Sequence, residues 1–338
     1  MRRLTRVFGL GLGLGLSLAP GLAAAQQPAS QQPAALPAQP GGDPIPDTAE
    51  ANDLIKKGRY EDAITACKRA LGRDERYVPA LIAMAKSYFY LKKYEFTTAI
   101  VDLAQKLDPN NAESYNLLGY VALQRNDSIS ATAAFKKATE LKDDYGIAWN
   151  SLTAMYVLSK NYDAAVPAGE KAVALLPNLA KAHLNLGAAY RGKMMYPEAE
   201  KELRRALELD QNYADAYFDL GIMYLDAPAG KIGTNLDLIP KLNQAIDYLG
   251  RYKNLASYHL AKDDPADGYI DEARKGIDRE QKRLQRLEKQ KERDRAKAAA
   301  AAQQPAAPAA EAAQPPAAPQ QAPAAPQQPA ALSPGGNP

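Results

Sequence analysis

The sequence predicts an all-α solenoid of about six stacked helix pairs. Three observations predict it. A Leu-Gly and Tyr pattern recurs at a 34-residue interval, as in AHLNLGAAY (182–190) and AYFDLGIMY (216–224). From about Asp47 to Tyr252, amphipathic stretches alternate with short breaks. Small residues return once per stretch at a fixed register, as closely crossed helices require. A unit of this length leaves one apolar face bare, and stacking the next unit covers it.

The ends of the 338-residue chain are composed differently from its middle. The opening MRRLTRVFGLGLGLGLSLAPGLAAAQQ places arginines before an apolar run and then small residues. That order predicts a secretory signal peptide over 1–25, cleaved after Ala25. The apolar run is too short for a comfortable membrane span, so none is expected in the mature chain. Its GLGLGLG lacks the strand–turn–helix setting of a phosphate loop. Arg2 and Arg3 fit an ordinary charged leader rather than a twin-arginine signal. The expectation is an exported protein, periplasmic or secreted. The formal net charge of +3 loses Arg2, Arg3 and Arg6 with the leader, so 3 − 3 leaves a mature chain near neutrality. Net charge therefore gives no reason to expect nucleic acid. The single cysteine, Cys67, excludes an internal disulfide framework. It lies too far from the leader to carry a lipoprotein's lipid. It reads as a small buried residue, with an intermolecular disulfide as the alternative.

Residues 26–46 are rich in Gln, Pro and Ala without period, as expected of a disordered linker. The solenoid is expected over 47–266, with an insertion near 226–240, where LDAPAGKIGTNLDLIPK adds about a dozen residues before LNQAIDYLGRY resumes a second-helix pattern. Gly230, Gly233 and Pro240 favour a loop there, and GKIGT lacks P-loop spacing. A charged helix is expected over 267–300. Ile270, Ile277, Leu284 and Leu287 form one stripe of it. It reads as a cap over the last repeat that then projects, with its basic excess a solvated face. A short coiled coil with a partner is the alternative. Residues 301–338, all Ala, Pro, Gln and a few others, cannot offset their ordering entropy and form a disordered tail. In a fully polyproline-like conformation that tail reaches roughly 110 Å, enough to act as a tether near the cell wall.

Within each unit, Pro109 and Pro177 stop a second helix. Gly119, Gly187 and Gly221 are expected where two helices cross, with Ala131, Ala165 and Ala199 on the second helix. Leu118, Leu152, Leu186, Tyr156 and Tyr190 fill the space between, as core rather than a cofactor box. Full motifs run YNLLGYVA from Tyr115 with Ala131, Phe135 and Ala138; WNSLTAMY from Trp149 with Ala165, Ala172 and Pro177; HLNLGAAY from His183 with Ala199, Leu203 and Ala206; YFDLGIMY from Tyr217; and LIAMAKSY from Leu81 with Ala104 and Pro109. GRYEDAITACKRAL is a frayed first copy. Over roughly 200 residues the chain thus resembles the tetratricopeptide repeat (TPR) family, whose period is 34. Three positions depart from the pattern. Thr97 replaces the small residue of the second repeat, Thr153 replaces the glycine of the fourth, and Gly169 stands where a large residue is expected.

The resemblance implies a right-handed superhelix whose concave wall is lined by first helices. It places Ile82, Lys86, Phe89 and Tyr90 there, then Asn116, Tyr120 and Leu123, then Asn150, Ala154 and Val157, then Leu184, Ala188 and Arg191, then Phe218 and Ile222. An apolar wall with Asn116 and Asn150 at one position suits a peptide or helix of a partner protein. Asn116 and Asn150 stand where chaperone adaptors of the family place basic clamp residues, so that role is not expected. Catalytic patterns are thin: His183 sits at an aromatic core position, His259 has no companion ligand, Asp143-Asp144 is an ordinary helix end, and no HExxH or nucleophile elbow occurs. No cofactor, metal or nucleic acid is expected. The function expected is a periplasmic scaffold serving an envelope machine of the pilus, secretion or gliding-motility kind. A structural spacer is the alternative, and an enzyme with a site around Asp226 or Asp237 is the third reading.

Overall fold

A computed structural model describes residues 43–228, 237–256 and 264–302. The segment expected to be a leader, most of the expected linker, the middle of the insertion, His259 and the tail beyond 302 lie outside these residues. The described residues form thirteen α-helices and no strand. They pair as six hairpins: α1 (Ile45–Lys56) with α2 (Tyr60–Arg73), α3 (Val78–Tyr90) with α4 (Tyr94–Leu107), α5 (Ala112–Gln124) with α6 (Ser128–Leu141), α7 (Gly146–Leu158) with α8 (Tyr162–Leu175), α9 (Ala180–Gly192) with α10 (Tyr196–Leu209), and α11 (Ala214–Asp226) with α12 (Leu238–Ala256). α13 follows (Ala266–Ala302). Helix begins at Ile45, two residues before the expected start, with Pro46 and Asp47 in its first turn.

One device closes the first five hairpins. Gly58, Lys92, Asn126, Lys160 and Met194 all take positive φ, between 58° and 74°. Each donates its N–H to the carbonyl three residues back, and the next residue donates to the carbonyl five back, as Lys92 to Phe89 and Lys93 to Tyr88. These are Schellman closures, and they satisfy carbonyls the helix end would orphan. Only one of the five is glycine, so four side chains hold a left-handed backbone at some cost. Side-chain caps then start α5, α6 and α8, where Asn111, Asp127 and Asn161 accept from Ser114, Ser130 and Ala164 N–H.

The helix crossings follow a size rule. A methyl group on Gly119 would sit 2.5 Å from Phe135 Cε1; on Gly187, 2.7 Å from Leu203 Cγ; on Gly221, 2.6 Å from Leu249 Cγ. Each first-helix glycine is therefore the partner of one large second-helix side chain. The fourth hairpin inverts the pair. Thr153 is buried on α7, and a methyl group on Gly169 of α8 would meet its Cγ2 at 3.1 Å and Leu186 Cδ1 at 2.9 Å. The two departures from the repeat pattern thus compensate one another. By the same register Ala85 faces Val101, and Ala51 faces Cys67; all four are fully buried. Cys67 is the large member of its pair, and burial pushes its thiol up to about 12. Thr97, fully buried, donates its hydroxyl to the carbonyls of Lys93 and Ala85.

The insertion moves the last large residue. Leu249 lies twelve residues past 237, the position that the 34-residue register would assign, yet it packs Gly221 as Leu203 packs Gly187. Buried Lys241 anchors the displaced α12 by donating to the carbonyls of Leu225 and Ala227 at the end of α11. Ala266 and Ile270 of α13 join Ile222 and Leu249 in one buried cluster, so the start of α13 covers the last hairpin.

Candidate functional site: the first-helix wall

The fifteen residues assigned to the wall fall into rows set by the 34-residue register. The row Ile82, Asn116, Asn150 and Leu184 is buried, and Phe218 is half-buried. In the next row Lys86, Tyr120 and Ala154 are half-buried, while Ala188 and Ile222 are buried. In the third, Phe89 is buried and Leu123, Val157 and Arg191 are half-buried; Tyr90 beside it is exposed. The expected surface is therefore narrower than the register implies. Ile82, Phe89, Asn116, Asn150, Leu184, Ala188 and Ile222 belong to the core, packed among neighbouring helices, with α12 and α13 beside Ile222.

Polar side chains on this wall link one hairpin to the next. Lys86 pairs with Glu113, and Tyr120 Oη lies 2.8 Å from Ser151 Oγ. Asn116 Nδ2 donates to Tyr145 Oη (3.3 Å), and Asn185 Nδ2 donates to Asn150 Oδ1 (2.8 Å). Arg191 Nη2 reaches Asp219 Oδ1 at 3.0 Å. Asn116 and Asn150 occupy one register position, as expected, but each is engaged by a different partner rather than presented to a ligand. Burial pushes the Tyr120 and Tyr145 hydroxyls upward, so both are neutral donors or acceptors. The N-terminal half adds ring contacts: Tyr60 stacks on Tyr90 at 4.9 Å between centroids, and Phe89 lies tilted against Tyr120 at 6.0 Å.

The C-terminal end of the wall is occupied. Phe218 packs on Tyr252 at 4.9 Å and on Tyr269 at 6.2 Å, so α12 and α13 cover what the repeat register would leave as groove. Nearby, burial raises the carboxyls of Asp215, Asp219 and Asp226 above their ordinary range, although Arg191 pulls Asp219 and Asp226 the other way. Asp226 and Asp237 border the insertion, whose middle lies outside the described residues. His183 is buried, with its ring nitrogens 2.7 Å from Glu202 Oε2 and 3.0 Å from the Pro177 carbonyl. Among the described residues, no group of three or more His, Cys, Asp or Glu is placed to hold a metal. No described helix is long and apolar enough to cross a membrane.

A cavity of about 430 Å³ lies elsewhere, between α4, α5 and α6, against Thr98, Leu118, Val121, Ala133 and Ala134. Its α5 residues lie roughly 150° round that helix from Asn116, Tyr120 and Leu123, so it opens off another face.

Residues 48–115 match one tetratricopeptide repeat profile, and residues 112–145 and 180–213 match another. The chain carries tetratricopeptide repeats. No curated protein matches the sequence. Among solved structures, this TPR chain is similar to one in the APC/C hetero-tetramer Cut9-Hcn1, at 18% identity and a TM-score of 0.56, covering 68% of this chain and 42% of that one. It is similar to pilF of Pseudomonas aeruginosa at 16% identity and 0.52, covering 63% and 91%. It is similar to PilW, a type IV pilus biogenesis factor, at 17% identity and 0.50, covering 65% and 95%. At these identities the likeness establishes a shared fold.

Proposed function

We propose that this TPR protein is an exported, non-catalytic scaffold. Its first-helix wall takes a peptide or helix of a partner in the cell envelope. One observation carries the binding reading. Leu123, Val157 and Arg191, with Tyr90 beside their row, keep accessible surface on successive first helices at a fixed spacing, above a floor of buried apolar and amide side chains. Such a strip offers an extended or helical ligand repeated apolar contacts, ended by the Arg191–Asp219 ion pair. Export rests on the leader-like opening sequence. The envelope context rests on that expectation, and the fold shared with a pilus factor is compatible with it. Assembly of a pilus, secretion or gliding-motility machine is the kind of work proposed.

A photo-crosslinking residue tests this at positions 123 and 157, with the strongly exposed Ile129 (84%) as control. One partner captured from both wall positions and not from 129, then lost in Leu123→Glu with helix content intact, is the expected result. Equal capture at 129, or undiminished binding by Leu123→Glu, refutes the wall. Tyr120→Glu and Asn150→Ala are poor probes, because both side chains hold hairpins together.

A further inference from the structure

α13 from residue 282 sorts its charges. Lys282, Arg286, Lys289, Arg293 and Lys297 follow one another at steps of four, three, four and four residues, and all are exposed. On a helix turning 100° per residue they fall within about 80° of arc, as a line of cations roughly 22 Å long. The acids of the same stretch, Glu288, Glu292 and Asp294, lie about 100° or more from the middle of that line, and Leu284 lies opposite it. Eight cations and three acids between 282 and 297 leave an excess of five positive charges. None of the five stripe residues is ion-paired among the described residues.

Within the stripe, the like charges oppose the helix's own stability, and only Lys282, Lys289 and Lys297 have an acid three or four residues away, at Asp278, Glu292 and Asp294. A solvated helix gains from opposite charges three or four apart and loses from like charges there. Here 282/286, 286/289, 289/293 and 293/297 are four successive like-charge neighbours. The stripe holds no apolar or aromatic side chain, so it offers neither a helix-packing seam nor a stacking platform for bases. We propose that it is an electrostatic docking face for an anionic phospholipid surface, on which the helix lies flat. A plane of negative headgroups can meet five collinear cations at once, and each cation near such a surface adds about fivefold to binding. The lipid source rests on the export proposed above; the anion-binding face does not depend on the wall.

The test is co-flotation of the full chain with phosphatidylcholine vesicles, with and without about 30% phosphatidylglycerol. Neutral vesicles give the baseline for the apolar leader. Three outcomes are expected. Binding rises with the anionic lipid and fades at high salt. Arg286→Gln with Arg293→Gln weakens the anionic increment by about 25-fold, two steps of about fivefold. Lys291→Gln with Arg295→Gln, which removes equal charge from the other side of the helix, weakens it less than threefold. The stripe variants relieve like-charge neighbours, so circular dichroism should show helix content unchanged or higher. No anionic increment, or equal losses from both pairs, overturns the proposal. Tighter binding to duplex DNA than to the anionic vesicles at the same salt also overturns it. Leu123→Glu should leave vesicle binding unchanged, so failure here and failure of the wall are separate results.

Discussion

Converting the fourth hairpin to the size rule of its neighbours tests whether the crossings are coupled pairs. Thr153→Gly removes a buried side chain whose hydroxyl donates to the Trp149 carbonyl at 2.8 Å. Lost packing, the lost bond and glycine's helix cost together come to about 2 kcal/mol. Gly169→Leu drives a Cβ to 3.1 Å from Thr153 Cγ2 and 2.9 Å from Leu186 Cδ1. Overpacking of about 1–3 kcal/mol, eased by leucine's better helix propensity, leaves a net loss of about 1–2 kcal/mol. The double variant recreates a glycine facing a leucine, the arrangement that Gly187 and Leu203 already hold. Its loss should therefore be about 1 kcal/mol, against roughly 3–4 for independent effects, a coupling of about 2–3 kcal/mol. Urea titrations of all four proteins, followed by circular dichroism at 222 nm, give the cycle. Single effects that add to within about 0.5 kcal/mol would refute the pairing.

Three further predictions use other features. Met194→Gly should raise stability by about 0.5–1 kcal/mol, because the residue holds φ of 62°, a conformation glycine adopts freely; an unchanged or lower melting temperature counts against this. Cys67, fully buried with its thiol pushed up to about 12, should react with Ellman's reagent only as fast as the first hairpin opens, and reaction at a free thiol's rate in native buffer would contradict its place in the core. Asp215, Asp219 and Asp226 titrate above the ordinary carboxylate range because they are buried. Their protonation favours the folded state, so their contribution is complete below about pH 4 and is lost as pH rises through their folded values. Asp219→Asn should flatten the rise in melting temperature on acidification from neutral pH down to about pH 4, and a slope identical to that of the parent protein would show that Asp219 does not contribute to it.

The repeat was legible because its period is written in residues that cannot be exchanged without cost. Glycine at 119, 187 and 221 and alanine at 131, 165 and 199 mark crossings in the sequence as they do in space. The insertion was legible for the same reason, since the pattern resumed after it. The wall was less so. Register says that Asn116 and Asn150 share a row; it does not say that Tyr145 and Asn185, one hairpin on, will reach them. Reach depends on the rotation between hairpins, which no local pattern encodes. The left-handed turn residues were not read from the sequence at any of the five places, and at four of them lysine, asparagine or methionine carries no glycine signal. A search for any residue at 34-residue spacing from Gly58 would have found them.

The inverted Thr153–Gly169 pair also bears on how the chain assembles itself. Near-copies in tandem invite a second helix to close on the wrong first helix. If α6 were to close on α7, Phe135 would meet Thr153 and the two would collide; if α8 were to close on α5, Gly169 would meet Gly119 and leave a hole. A single swapped bulk in mid-array thus works as a key cut for one lock. It disfavours exchange between neighbours and lets the hairpins find their own halves.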